Sequence, residues 1–275
     1  MTDASPGEQP EPFPAAARWA ELLAGWGIPE AIESEAPESP WFHDLDRFTV
    51  DETLDRGHTS ARWAREVLPP VGGTVLDVGC GGGRSALALV PPATELIGVD
   101  PSGAMLDRFV DAASAVGVAR RTVHGAWPDV ADHTPVADVV VCHHVLFNVS
   151  DIVAFVLALT AHARLAVVVE LPVAHPMSAW SEAWQHFWGL SRPDGPTADD
   201  VVAVLHELGL DPEVAVSPRS PRPTDGAPVL VGSARRRLCL PAERDDELAA
   251  WLDQHPPAFV AEVATLRWPG AADPS

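Results

Sequence analysis

An apolar strand pattern, Val75-Leu76-Asp77-Val78, runs directly into Gly79-Cys80-Gly81-Gly82-Gly83, and a second strand pattern from Leu96 ends on Asp100. Four glycines in five positions after a strand commit the chain to a tight turn. Gly79, Gly81 and Gly83 permit positive φ there and let the main chain lie close to a ligand, because no Cβ stands in the way. Asp100, at the carboxyl end of the neighbouring strand, is placed to accept both hydroxyls of a ribose. These features predict a nucleotide-cofactor site at the top of a parallel sheet. Asp77 adds a sign to that site: an acid ahead of the glycines repels a pyrophosphate and attracts a cation.

The segments that follow support such a sheet. Strands are expected over Thr74–Val78, Leu96–Val99, Thr122–His124, Asp138–Cys142 and Ala166–Leu171, with helices from Arg84, over Gly103–Val116 and over Asp151–His162. This alternation predicts an α/β fold with a doubly wound, mostly parallel seven-stranded sheet. A helix over Thr197–Leu208 comes next, and the strands Glu213–Val216 and Val229–Gly232 are expected to close the sheet as an antiparallel pair. Ahead of the glycine turn, helices over Pro14–Trp26 and Asp51–Val67 form an N-terminal cap behind a polar, disordered tail. The expected organisation is tail and cap over 1–70, the cofactor-binding domain over 71–240 and a helical extension over 241–275. Residues 172–196 are too long for an ordinary connection and read as an aromatic helical insertion.

A formal net charge of -21 excludes a polyanionic nucleic-acid substrate and favours a small molecule. The three cysteines, Cys80, Cys142 and Cys239, show no zinc or disulfide spacing, so no metal site and a reduced interior are expected. The polar start and the lack of a long apolar run predict a cytoplasmic protein with no membrane partner.

An acid, then G-x-G-x-G, then an acid closing the second strand resembles the first two motifs of class I S-adenosylmethionine-dependent methyltransferases. Asp77, Gly79, Gly81, Gly83 and Asp100 match them position for position. The resemblance implies S-adenosylmethionine as cofactor, a Rossmann-like methyltransferase fold, and cofactor contacts from Pro101, Ser102 and Met105 after the second strand. After the third strand the family usually carries an acid for the adenine amino group, and this chain has Ala126. Adenine is then expected to lie against backbone groups and the flat face of Trp127. A competing NAD reading takes Gly81 to Ala86 as G-x-G-x-x-A, but its frame leaves Asp77 and Gly79 inside a strand. The segment after the fourth strand lacks the Pro-Pro-aromatic pattern of enzymes that methylate amino groups of DNA, which leaves the small-molecule members as the nearer likeness.

Methyl transfer needs an acceptor held in line and, for many acceptors, a base. His143 and His144, at the carboxyl end of the fourth strand, are the candidate catalytic pair, with His144 preferred as the general base. Glu170 and His175, at and after the fifth strand, can face the same cleft and are expected as second-choice base or binding residues. Trp41 and Phe42 in the N-terminal link, and Trp184 and Trp188 in the insertion, are candidate substrate contacts, the bland alternative being that the aromatics only glue the insertion to the core. The leading expectation is methyl transfer to a small, partly apolar metabolite. A non-catalytic cofactor sensor and an NAD-dependent oxidoreductase are the alternatives.

Overall fold

The computed structural model describes residues 13–40, 54–219 and 229–272. Seven strands form one sheet: β1 (Gly73–Val78), β2 (Ala93–Asp100), β3 (Ala119–His124), β4 (Ala137–His143), β5 (Ala163–Pro172), β6 (Glu213–Pro218) and β7 (Glu262–Pro269). Their spatial order is β3-β2-β1-β4-β5-β7-β6. The first five strands are parallel, and β7 enters antiparallel between β5 and β6. The strand order reverses between β1 and β4, so the carboxyl ends of these two strands flank the crevice in which open α/β sheets bind ligands.

Side chains alternate across the buried strands and therefore feed two cores. From β1, Leu76 and Val78 join Ile97, Val99, Val140 and Cys142 on one face. There they meet Trp19 of α1 (Pro14–Ala24), Phe155 and Leu159 of α6 (Ile152–Ala161) and Val201 and Leu205 of α8 (Ala198–Glu207). Val75, Leu96, Val139 and Val141 point to the opposite face, against Ala61 and Ala64 of α3 (Thr59–Val67), Leu87 of α4 (Arg84–Leu87) and Phe109 of α5 (Gly103–Ala115). Capping fixes the helix starts. The Ser102 side chain accepts from Met105 N at α5, Asp151 accepts from Ala154 N at α6, and Thr197 and Asp200 form a capping box at α8.

Two expectations are corrected at the C-terminal side. The segment Val229–Gly232 is no strand; Val231 opens the helix α9 (Val231–Arg237), and the partner of β6 is β7. A short β-branched run does not distinguish the two states, and here the tertiary context chooses helix. The expected helical extension over 241–275 holds one helix, α10 (Asp245–Gln254), and then the strand β7. Pro256 and Pro257 forbid continuation of the helix, and the buried run Val263–Leu266 seats β7 beside β5. The Trp268 indole N–H donates to Thr160 Oγ1 at 2.9 Å, and Arg267 reaches Glu66 of α3 and Glu213 of β6.

The N-terminal cap holds α1, the short α2 (Glu30–Glu33) and α3, and the helix expected over Asp51–Val67 is shorter than expected, because α3 begins at Thr59. Residues 51–53 of that expected helix, with Trp41 and Phe42, lie outside the described residues. Trp19 is fully buried, and its indole donates to Val149 O at 2.8 Å, which fixes α1 over the exit of β4. No helix among the described residues is long and apolar enough to cross a membrane.

Candidate active site

The glycine turn leaves β1 and folds back across β2: Gly79 N and Cys80 N both donate to Val99 O, and Gly83 N donates to Cys80 O. All three motif glycines have positive φ, but they do different work. A Cβ on Gly79 would overlap Val145 Cγ2, and one on Gly83 would stand 2.8 Å from Phe109 Cδ2. These two glycines make room for the protein itself. A Cβ on Gly81 would meet nothing within 4 Å, so this glycine alone faces open space where a ligand can approach.

Asp77 is fully buried behind the turn. Its Oδ2 accepts from Ser85 Oγ at 2.6 Å and from Ala86 N at 3.2 Å. Its Oδ1 is buried without a partner. Burial pushes the Asp77 carboxyl up to about 7, and the two hydrogen bonds offset only part of that rise. A buried acid with an unsatisfied oxygen, next to a turn open at Gly81, suits a ligand that brings a positive charge.

Asp100 is buried at the end of β2 and holds the turn as well as facing it. Its Oδ2 accepts from Gly81 N at 2.9 Å and its Oδ1 accepts from Ser102 N at 2.8 Å. Each oxygen keeps one lone pair for a ribose hydroxyl. Asp100→Ala is therefore expected to weaken cofactor binding by about 2 to 3 kcal/mol and also to lower the melting temperature, since two backbone donors lose their acceptor. Calorimetry with S-adenosylhomocysteine and a thermal melt measure both; unchanged affinity would mean that the ribose is held elsewhere. Met105 is buried in α5, and Pro101 O accepts from His124 Nε2 at 2.9 Å.

Ala126 is exposed after β3. Trp127 does not present a free face: it is buried in the core, donates to Phe155 O at 3.3 Å and meets the His162 ring edge-on. Its expected stacking platform is thus turned toward α6, because the larger gain is burial of the indole with its N–H satisfied.

Beyond β4 the two histidines part company. His143 Nε2 is buried and unpartnered, and burial lowers the His143 pKa to about 4, so this ring is neutral at physiological pH. His144 has φ 61, a left-handed conformation seldom taken by a side chain of this size, and its N–H donates to Glu170 O at 2.7 Å. The twist carries its ring outward, where Nε2 lies 3.3 Å from Glu170 Oε1.

Glu170, buried at the end of β5, is the centre of a polar cluster. Ser60 Oγ donates to its Oε2 at 2.6 Å, and His58 Nδ1 lies 2.9 Å from the same oxygen. Burial alone would raise the Glu170 pKa, but the contacts from His144 and His58 outweigh it and hold the carboxyl well below the usual range. The sequence reading missed His58 and Ser60. They precede and open α3, where a polar His-Thr-Ser run reads as an ordinary helix start.

His175 stacks on Trp26 at 4.2 Å between ring centroids and meets Phe147 edge-on at 5.1 Å. Burial lowers its pKa to about 4, which makes it a neutral aromatic wall rather than a base. Trp184 and Trp188 belong to α7 (Ser181–Trp188) and lie away from this cluster. Trp184 packs with Leu238 and Leu248 under the Arg192 guanidinium, and Trp188 donates to Leu238 O at 2.7 Å. The insertion thus forms a third core with α9 and α10, the gluing alternative named above. Among the described residues, no group of three His, Cys, Asp or Glu side chains is placed to hold a metal ion.

Residues 75–166 match the family model described as a methyltransferase domain. Among solved structures, the YcgJ protein from Bacillus subtilis superposes with a TM-score of 0.54 at 18% identity, over 79% of this chain and 100% of that one. A putative methyltransferase from Bacillus halodurans gives 0.53 at 15%, over 78% and 98%. Geranyl diphosphate methyltransferase, solved in complex with SAM, gives 0.50 at 14%, over 91% and 94%. No curated protein matches the chain. The family match begins on β1, runs through the glycine turn, Asp100 and the two histidines, and ends on β5, so the segment that is similar to a methyltransferase domain is the one that carries this site.

Proposed function

We propose that this chain transfers a methyl group from S-adenosylmethionine to a small, partly apolar metabolite, with His144 removing a proton from the acceptor. The observation that carries the reading is Asp77, a buried acid with an unpartnered oxygen behind a glycine turn that is open at Gly81. An anionic pyrophosphate would be repelled there, whereas the ammonium of an amino-acid tail is attracted. The cofactor, when bound, supplies an electrophilic methyl group on a sulfonium. Asp77 answers its cationic tail, Asp100 offers one lone pair per oxygen to the ribose, and Gly81 leaves the approach clear. On the acceptor side, the ring wall of Phe147, Trp26 and His175 supports an apolar body. His144 Nε2 is directed to Glu170, so Nδ1 is left as the atom that takes the acceptor's proton. The solved geranyl diphosphate methyltransferase is consistent with an apolar acceptor but shares only the fold.

The cationic tail makes binding depend on pH in a defined sense. In the empty protein the raised Asp77 pKa favours the neutral acid, so its contribution to stability is full at low pH and is lost as pH rises through about 7. An ammonium ligand favours the ionised form instead. Affinity for S-adenosylhomocysteine should therefore rise by roughly tenfold between about pH 5.5 and about pH 7.5. Asp77→Asn should flatten that dependence, and calorimetry at several pH values measures it. A pH-independent affinity in the unsubstituted protein would remove Asp77 from the cofactor's tail. Transfer itself is tested with methyl-labelled cofactor and a metabolite extract: a labelled small product supports the enzyme, and tight binding without any product supports a sensor.

A further inference from the structure

We infer that His58 is a positioning residue for the proton-accepting histidine: as an imidazolium held between Glu170 and the end of β6, it keeps the Glu170 carboxylate ionised, aimed at His144 and half neutralised. The inference rests on the reading of His144 as the base. Three segments far apart in sequence meet on one carboxylate: His58 and Ser60 at the start of α3, His144 after β4 and Glu170 on β5.

The hydrogen-bonding geometry sets the charge of His58. Its Nδ1 faces Glu170 Oε2 at 2.9 Å and Ser60 Oγ at 3.3 Å, and that hydroxyl gives its own hydrogen to Glu170. Its Nε2 faces Pro218 O at 3.2 Å, a carbonyl that can only accept. Ser217 Oγ lies farther from Nε2, at 3.5 Å, and the doubly protonated ring is the form that donates to Glu170 and to Pro218 O together. The Glu170 pairing, ahead of the opposing effect of burial, raises the His58 pKa, with Asp55 on the same segment adding to the rise. Around the carboxylate stand His143 and His144 from β4 and His58 from α3.

The consequence falls on His144. A carboxylate with His144 as its one partner would place its whole charge on that imidazole. The His58 cation on the other oxygen withdraws part of that charge, while Ser60 and His58 together fix Oε2 and leave Oε1 for His144 Nε2. Glu170 then orients the base and stabilises the proton only in part.

Proton NMR of the imidazole rings, followed by titration of the full ligand-free chain, tests this without cofactor or acceptor. The His58 resonance, identified by its loss in His58→Gln, should titrate above the free-imidazole range. In His58→Gln the His144 ring should take up its proton roughly 3 to 10 times more tightly than in the unsubstituted chain. If His58→Gln does not fold, the unsubstituted chain still decides: the His144 curve should carry a second inflection where His58 titrates. A His144 titration that ignores His58 in both forms would reduce His58 to a structural anchor and overturn the inference. Because no methyl donor enters this measurement, failure of methyl transfer with coupling intact would overturn only the proposed reaction.

Discussion

His144→Ala is expected to lower turnover by about 10² to 10⁴-fold while leaving affinity for S-adenosylhomocysteine nearly unchanged. The side chain lies beyond β4 and is exposed, so its loss removes a proton acceptor and little packing. The left-handed backbone at this residue argues the same way: a strained φ at an exposed ring brings no gain in burial, and its use is to aim that ring. His143→Ala is the control. That imidazole is buried, neutral and without a partner at Nε2, so its removal should alter stability and affect binding and turnover together. Turnover of the unsubstituted enzyme should fall on acidification, as the base takes up its proton, and this limb should vanish in His144→Ala. Full activity in His144→Ala, with a normal melt, would leave positioning as the whole mechanism.

Gly81→Ala should separate ligand binding from folding. The added Cβ meets no protein atom, so the fold is retained at a cost of about 1 to 2 kcal/mol for a side chain at positive φ. The same methyl stands in the approach to the cofactor, and affinity should drop by on the order of 10²-fold, or about 2.7 kcal/mol. Gly79→Ala should behave in the opposite way. Its Cβ would overlap Val145 Cγ2, a stiff β-branched neighbour, so stability falls first and binding follows from the damaged turn. Melting curves beside calorimetry for the two variants measure the split. Equal losses of stability and affinity in both would mean that the turn acts only as a structural unit.

The central sheet was legible because its signals are local. Strand, turn and helix patterns from Gly73 to Leu171 each fit in a few residues, and the glycine turn and Asp100 fix the order of the first two strands. The closing strand was not, since β7 comes from the far end of the chain and its neighbours on both sides are decided by packing against β5. The short run at Val229 carried a similar composition and drew the strand assignment to the wrong place. At the site, Asp77, Gly81, Asp100, His144 and Glu170 carry readable types at readable positions. The work of Asp100 in holding Gly81 N was hidden, because a hydrogen bond across the turn leaves no trace in spacing. His58 and Ser60 were hidden for a stronger reason: Ser60 lies 110 residues from Glu170, and nothing in a polar helix start announces which carboxylate it will meet. Trp127 and Trp184 show the converse, where aromatic residues near a predicted cleft turned inward because a large ring gains more from a core than from a rim.

The most direct test of the account is the fate of a labelled methyl group. Purified protein, incubated with methyl-labelled S-adenosylmethionine and a small-metabolite extract, should place label on a low-molecular-weight product and release S-adenosylhomocysteine in equal amount. Gly81→Ala should suppress both by failing to bind the cofactor, and His144→Ala should suppress both while binding it. If no label moves, calorimetry shows no response to S-adenosylmethionine or S-adenosylhomocysteine, and NAD binds instead, the assignment of this site to methyl transfer is contradicted.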